Sequence, residues 1–295
     1  MRVFVTGATG FIGLPVSKEL IAAGHQVLGL ARSDAGTAAL IAAGVKAHRG
    51  DLEDLESLRS GAAQSDGVIH CAFIHDFPKF KENSEIDKRA IETLGSALAG
   101  SERPLIVSSG IPPAAPDRLM TEDVDHPAQS PTPRVSEPIA MALISQGVRA
   151  AVMRLPQVHD TLKQGLVTYL IAVARQKGVS AYVGDGLNRW PAAHVLDVAR
   201  LYRLALDKHE VGAKYHAVGE EGVPLRDIAE AIGRGLKVPV RSLPTEEASA
   251  HFGFLGFFAG RDLSTSSALT QERLGWRPTG PGMISDLEGM CYFKA

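Results

Sequence analysis

The chain opens MRVFVTGATGFIG, residues 1–13. The apolar run at 3–5 reads as a buried strand, and it feeds a turn with glycines at Gly7, Gly10 and Gly13. Residues 11–23 follow with a helical pattern. A glycine turn between a strand and a helix suits a dinucleotide. One glycine allows the tight turn, one lets backbone approach a pyrophosphate, and one lets the helix pack on the sheet. The free N–H groups at the helix start add partial positive charge. The spacing is GxxGxxG rather than GxGxxG. Thr9, Phe11 and Ile12 lie in the same turn and join the three glycines as cofactor-binding candidates.

Outward from this turn the pattern repeats. Strands are expected at 2–6, 26–31, 45–48, 67–72 and 105–109. Helices are expected at 11–23, 35–43, 52–63 and 82–99. Alternation with continuously apolar strands predicts a parallel sheet covered on both faces, in the α/β class. Right-handed crossovers make it a Rossmann-type doubly wound sheet. Residues 111–133 hold six prolines and read as a loop. A helix at 136–146 and a strand at 150–154 complete a first domain, residues 1–155. Residues 156–295 read mainly as a smaller C-terminal substrate lobe, with some segments returning to the sheet. Its helices are expected at 165–177, 195–207, 225–236 and 246–251, with strands near Tyr182 and at 214–218.

Composition narrows the function. The 295 residues carry a formal net charge of −2, which gives no basic footprint for nucleic acid. No apolar stretch spans a bilayer and no signal-peptide pattern precedes the glycine turn. Two cysteines, Cys71 and Cys291, without a CxxC pair, fit packing roles in a reducing, cytoplasmic setting.

The second strand ends in Ala31, Arg32 and Ser33. An NAD site places a carboxylate there for the adenosine ribose. A guanidinium instead suits a 2′-phosphate. Arg32, with Ser33, therefore points to NADP(H), the alternative being an ordinary surface charge. Asp34 is expected to be solvated or to cap the next helix.

Further motifs extend along the chain: GDLEDLESL (50–58), GVIHCAF (67–73), LIVSSG (105–110), VMRLPQVHD (152–160), AAHVLDVARLY (192–202) and LGWRP (274–278). Together with VTGATGFIG they resemble the extended short-chain dehydrogenases/reductases of the NAD-dependent epimerase/dehydratase type, nearly end to end. The resemblance implies that Asp51 and Leu52 flank adenine and that Cys71, Ala72 and Phe73 pass the cofactor ribose. It implies cofactor contacts at Ser108, Leu155 and Pro156, and it puts Ser109 at the catalytic Ser/Thr. A homodimer through the helices at 82–99 and 136–146 is implied in the same way.

One element of the family pattern is missing. Its chemistry rests on Y-x-x-x-K after the fifth strand, yet the first tyrosine here is Tyr169, and no tyrosine has lysine four residues on. Gln129 and Pro133 fall about where the pair would stand. This departure makes the chain similar to the atypical members. A substitute proton donor must reach the substrate oxygen. His75 and Asp76 follow the cofactor-facing strand end and are the candidates, unless they are plain loop and turn residues. His159, where the family's run carries tyrosine, is a second histidine near the substrate, and His194 is expected to start the following helix. An iminium, a quinone or an activated alkene would ask less of such a donor.

Asn188, Arg189 and Trp190 are candidate pocket-wall residues, with Arg189 either an anion site or half of an ion pair. HFGFLGFFAG (251–260) reads as an apolar lid, a buried helix or a subunit contact. The expected activity is NADPH-dependent hydride transfer to a C=O or C=N bond of a small, partly apolar molecule. The rivals are a non-catalytic NADPH-binding redox sensor and a sugar-nucleotide epimerase or dehydratase. No metal site is expected.

Overall fold

The computed structural model describes residues 1–112, 118–127 and 133–290. Gln129, two stretches of the proline-rich loop (113–117 and 128–132) and Cys291 lie outside the described residues.

The first half alternates as the sequence predicts: β1 (Arg2–Thr6), α1 (Gly13–Ala22), β2 (Gln26–Ala31), α2 (Asp34–Ala42), β3 (Lys46–Arg49), α3 (Leu55–Ala63), β4 (Gly67–His70), α4 (Phe80–Leu98) and β5 (Pro104–Gly110). Then come α5 (Ser136–Ala142), β6 (Arg149–Leu155), β7 (Gln157–His159), α6 (Val167–Lys177), β8 (Ser180–Val183), β9 (Arg189–His194), α7 (Val195–Asp207) and β10 (Lys214–His216). The chain finishes with β11 (Glu220–Pro224), α8 (Leu225–Leu236), β12 (Val240–Leu243), α9 (Ala248–Phe252), α10 (Gly256–Ala259), α11 (Ala268–Leu274) and α12 (Met283–Gly289).

Among the described residues, seven parallel strands form one sheet in the order β3-β2-β1-β4-β5-β6-β10. Side chains alternate across it. Val3 and Val5 enter a core shared with Val16, Leu20, Tyr202 and Trp276, whereas Phe4 faces Leu58, Ile91 and Leu94. Burial of each large aliphatic side chain is worth about 1.5–3 kcal/mol, so this doubly covered strand anchors the fold.

The second half divides between two cores. Helix α7 packs on α1, and β10 extends the main sheet. A separate core joins Ile171, Trp190, Ile228, Phe252, Leu255 and Leu287 in the smaller lobe. Strands β7, β9, β11 and β12 have no counterpart in the sequence reading, because they are short and lack sustained alternation. The helix expected from residue 52 begins at Leu55, since Asp54 accepts the Ser57 N–H at 3.2 Å and sets the boundary. Among the described residues, no helix is long and apolar enough to cross a membrane.

Candidate active site at the carboxyl edge of the sheet

The glycine turn is built around two positions. Gly7 has φ +66°, and a Cβ there would lie 2.8 Å from the Ala72 nitrogen. A Cβ on Gly13 would lie 2.1 Å from the Gly7 carbonyl oxygen. Gly10 donates to that same oxygen at 2.8 Å. Helix α1 starts without a side-chain cap and without an acidic residue in its first turn. The Leu14 N–H donates to the Gly10 carbonyl at 3.1 Å and Pro15 has no N–H, so of the first helical N–H groups only that of Gly13, with the helix dipole, is left for an anion. Thr9 and Gly10 are exposed, while Phe11 and Ile12 pack partly on the first core.

At the end of β2, Arg32 is exposed and takes no partner among the described residues. The adjacent carboxylate of Asp34 is neutralised by Arg49 at 2.7 Å. Ser33, not Asp34, caps α2, accepting from the Gly36 N–H at 3.1 Å. The Asp51 carboxylate accepts from the Glu53 N–H at 3.1 Å, and Leu52 packs into the Phe4 side of the core.

Along the same edge of the sheet, the ends of β1 and β4 rest on a buried polar chain. Thr6 Oγ1 meets His70 Nδ1 at 2.8 Å, and His70 Nε2 meets Asp87 Oδ1 at 3.0 Å. Ser136 donates to Asp87 Oδ2 at 2.6 Å. Burial pushes the Asp87 carboxyl up, but the bonds to His70 and Ser136 and the charges of His70 and Arg134 together hold it below the usual range. Arg134 Nε donates to Ser136 Oγ at 2.9 Å, and its Nη2 donates to the Ser108 carbonyl at 3.1 Å. Its guanidinium carbon lies 4.1 Å from the Phe73 ring centroid. Arg134 thus stands one residue beyond Pro133, beside the place where the sequence pattern lacks its lysine. The sequence signal was present in PRVSE, residues 133–137, but a register fixed on lysine passes over it.

Ser108 and Ser109 diverge. The Ser108 hydroxyl donates to the His70 carbonyl at 2.6 Å and pairs with the Tyr202 hydroxyl at 2.6 Å. That corrects its expected role: its side chain clasps strands and helix α7. Ser109 is buried, yet its hydroxyl takes no partner among the described residues. Tyr202 is no substitute for the missing tyrosine. It is fully buried, and desolvation pushes its phenol well above its ordinary pKa. The Cys71 thiol, beside Ser108 and Tyr202, is pushed up by burial to about 12 and stays protonated.

His75 and Asp76 form no hydrogen bond with each other among the described residues. His75 stands edge-on to Phe73 and Phe77, with centroids 5.2 and 6.3 Å away. Desolvation lowers its pKa, followed by the charges of Arg134 and Lys163. It is therefore neutral at pH 7. The Asp76 backbone carbonyl accepts from Asn83 at 2.8 Å.

The second lobe corrects the roles expected of Trp190, Asn188 and His159, and it gives Arg189 the ion pair that was one of its two expected roles. Trp190 is fully buried and its indole donates to the Phe258 carbonyl at 3.3 Å. Asn188 donates to the Ala259 and Arg261 carbonyls, each at 3.1 Å, and Arg189 pairs with Asp262 at 3.2 Å. These three fasten the 258–262 segment instead of forming a pocket wall. His159 is fully buried against Asp286 at 2.8 Å, so burial withholds it from substrate. His194 caps α7, as expected, accepting from Leu196 N–H at 3.3 Å. Leu155 and Pro156 are half-buried at the end of β6. The preceding Arg154 is sealed in by Glu137, at 2.8 Å, and by His216, at 3.1 Å.

The aromatic segment packs on both lobes. Phe252 and Leu255 are buried in the second core. Phe254 is 43% exposed and stacks on Phe77 of the first lobe, 4.1 Å between centroids. Tyr169 stands edge-on to both.

A glycine turn opening onto a helix N-terminus, at the carboxyl edge of this sheet, defines a dinucleotide-binding Rossmann protein. The profile described as the NAD dependent epimerase/dehydratase family matches residues 3–110. An uncharacterized protein of Schizosaccharomyces pombe is 48% identical over 295 residues, covering 99% of this chain and 100% of the relative. An uncharacterized protein of Saccharomyces cerevisiae is 44% identical over 291 residues, covering 97% and 98%. The UDP-glucose 4-epimerase of Thermus thermophilus, solved in complex with NAD, superposes with a TM-score of 0.76 at 21% identity, covering 100% of this chain and 99% of that one. The chain belongs to the NAD-dependent epimerase/dehydratase family, the extended short-chain dehydrogenases/reductases, whose cofactor is NAD(P).

Proposed function

We propose that the protein is an NADPH-dependent reductase of a small, partly apolar carbonyl compound. The observation that carries this is an unpartnered Ser109 hydroxyl at the carboxyl end of β5 together with an unpartnered Arg32 just beyond the carboxyl end of β2, along one edge of the parallel sheet. Arg32 holds a 2′-phosphate, and Asp34 does not repel it because Arg49 neutralises that carboxylate. The turn from Gly7 to Gly13 and the start of α1 receive the pyrophosphate. When bound, NADPH supplies the hydride. Ser109 donates its O–H to the substrate carbonyl and orients it. Phe73, Phe77, Tyr169 and Phe254 exclude water from that oxygen.

Reduction of a C=N bond fits less well. An iminium is cationic, and the charges acting on His75 include Arg134 and Lys163. Like charges disfavour that substrate.

The test is NADPH consumption against ketones, aldehydes, quinones and cyclic imines, with Ser109→Ala alongside. Turnover of a carbonyl class, reduced by about 100-fold in Ser109→Ala at unchanged NADPH affinity, supports the reading. Tight NADPH binding without turnover of any class would make the protein a sensor instead.

A further inference from the structure

Reduction of a simple ketone creates an alkoxide, a stronger base than any side chain here can leave unprotonated. The family's tyrosine is absent, Tyr202 is sealed away, and His75 is neutral. What the crevice offers instead is a fixed cation. Arg134 is half-buried, its plane set by Ser136, the Ser108 carbonyl and the Phe73 ring. Ser136 is itself held by Asp87, which His70 and Thr6 lock in place. Two donors of the guanidinium are thereby committed. Nη1 takes no partner among the described residues, so an oxygen can still be received there.

The walls carry the second observation. Phe73, Phe77, Phe80, Tyr169 and Phe254 form one continuous aromatic cluster around the loop after β4, with neighbouring centroids 4.1–5.7 Å apart. A flat apolar molecule matches such faces, and a heavily hydroxylated one does not.

We infer that Arg134 receives the substrate's carbonyl oxygen and that the substrate is an apolar conjugated carbonyl compound, an enone or a quinone. This rests on the reductase reading above. The hydride arrives from the reduced nicotinamide: its C–H bond breaks and a C–H bond forms at the carbon β to the carbonyl. The C=C pair shifts toward the carbonyl, and the C=O π pair settles on oxygen. The product is an enolate, stabilised by conjugation, which Arg134 holds until water supplies the proton. Two electrons leave the nicotinamide and two enter the substrate. No strong acid is needed at the moment of transfer. Arginine suits this task because it presents several donors in one plane and keeps its charge. Ser136 and Asp87 act as positioning residues, through Arg134.

The experiment has two arms. In the first, menadione, 2-cyclohexen-1-one and cyclohexanone are offered to the wild type, Arg134→Lys and Arg134→Met. The wild type is expected to favour the two conjugated compounds and to turn cyclohexenone into cyclohexanone. Arg134→Met is expected to lose about 100-fold or more in kcat at unchanged NADPH affinity, with partial recovery in Arg134→Lys. In the second arm, 4-nitrophenol is bound with NADP⁺ and its ionisation is followed by absorbance, without turnover. The wild type is expected to lower the pKa of the bound probe by about 1–3 units, and Arg134→Met is expected to abolish the shift. Reduction of ketones with no preference for conjugation, or with no dependence on Arg134, overturns the inference and leaves the reductase reading standing. No reduction of any carbonyl overturns both.

Discussion

Phe77 and Phe254 stack with planes 17° apart, although one belongs to the loop after β4 and the other to the segment between α9 and α10. Their contact joins the smaller lobe to the loop after β4. An aromatic pair contributes about 0.5–1.5 kcal/mol beyond its buried area. Phe254→Ala should therefore raise KM for apolar substrates by roughly 3- to 10-fold. Because the pair lies within the folded chain, the melting temperature should also fall, by about 1–5 °C. Steady-state kinetics beside a thermal melt checks this. An unchanged KM would remove the lid role.

Arg32 is the second test. Charge-assisted hydrogen bonds are worth about 1.5–3 kcal/mol, so Arg32→Ala should weaken NADPH binding by roughly 10- to 100-fold. NADH affinity should stay the same. Fluorescence titration of both nucleotides against both proteins measures it, and equal losses for the two would show that Arg32 does not read the 2′-phosphate.

Much of the first half was legible because strand, turn and helix signals agree there. Val3 and Val5 against Phe4, with Gly7 and Gly13 at the turn, leave one arrangement open. The second lobe was less legible. Trp190 lies in a motif that reads equally well as pocket wall or core, and the strand that buries it pairs with segments far away in sequence. Arg134 was missed for a different reason. Its meaning comes from Asp87, Ser136 and Phe73, which only the fold brings together. His75 beside Asp76 shows the converse, since adjacency in sequence produced no pair.

Gly13 provides a steric test of the turn. A Cβ 2.1 Å from the Gly7 carbonyl oxygen cannot be relieved by a side-chain rotation, because the obstacle is backbone. Gly13→Ala should abolish measurable NADPH binding and destabilise the fold by about 1–3 kcal/mol. Gly10→Ala, whose Cβ would lie 3.0 Å from the same oxygen, should be milder on both counts. Calorimetric titration and denaturant melts compare them, and normal cofactor binding by Gly13→Ala would contradict this geometry.

His216 should make stability depend on pH. Burial lowers its pKa to about 4, against an ordinary 6.5. Glu122, Glu137 and the Ser266 carbonyl oppose that shift, and Arg154 reinforces it. The unfolded chain therefore binds a proton between these two values that the folded chain refuses. Stability is fully present above pH 6.5 and is lost as pH falls toward 4, by about 3 kcal/mol in all. His216→Gln should flatten that part of the profile. Urea melts at half-unit pH steps report it, and parallel profiles for the two proteins would exclude His216 as the source.

Hydride transfer itself is followed most directly with NADPH carrying deuterium at C4 on the transferred face. Wild type and Ser109→Ala are each incubated with the carbonyl panel, and the products are read by mass spectrometry. One deuterium bound to carbon in the product is expected from the wild type, with slower labelling from Ser109→Ala. Tight NADPH binding with no label reaching any carbonyl compound would contradict the assignment of this crevice as a reductase site.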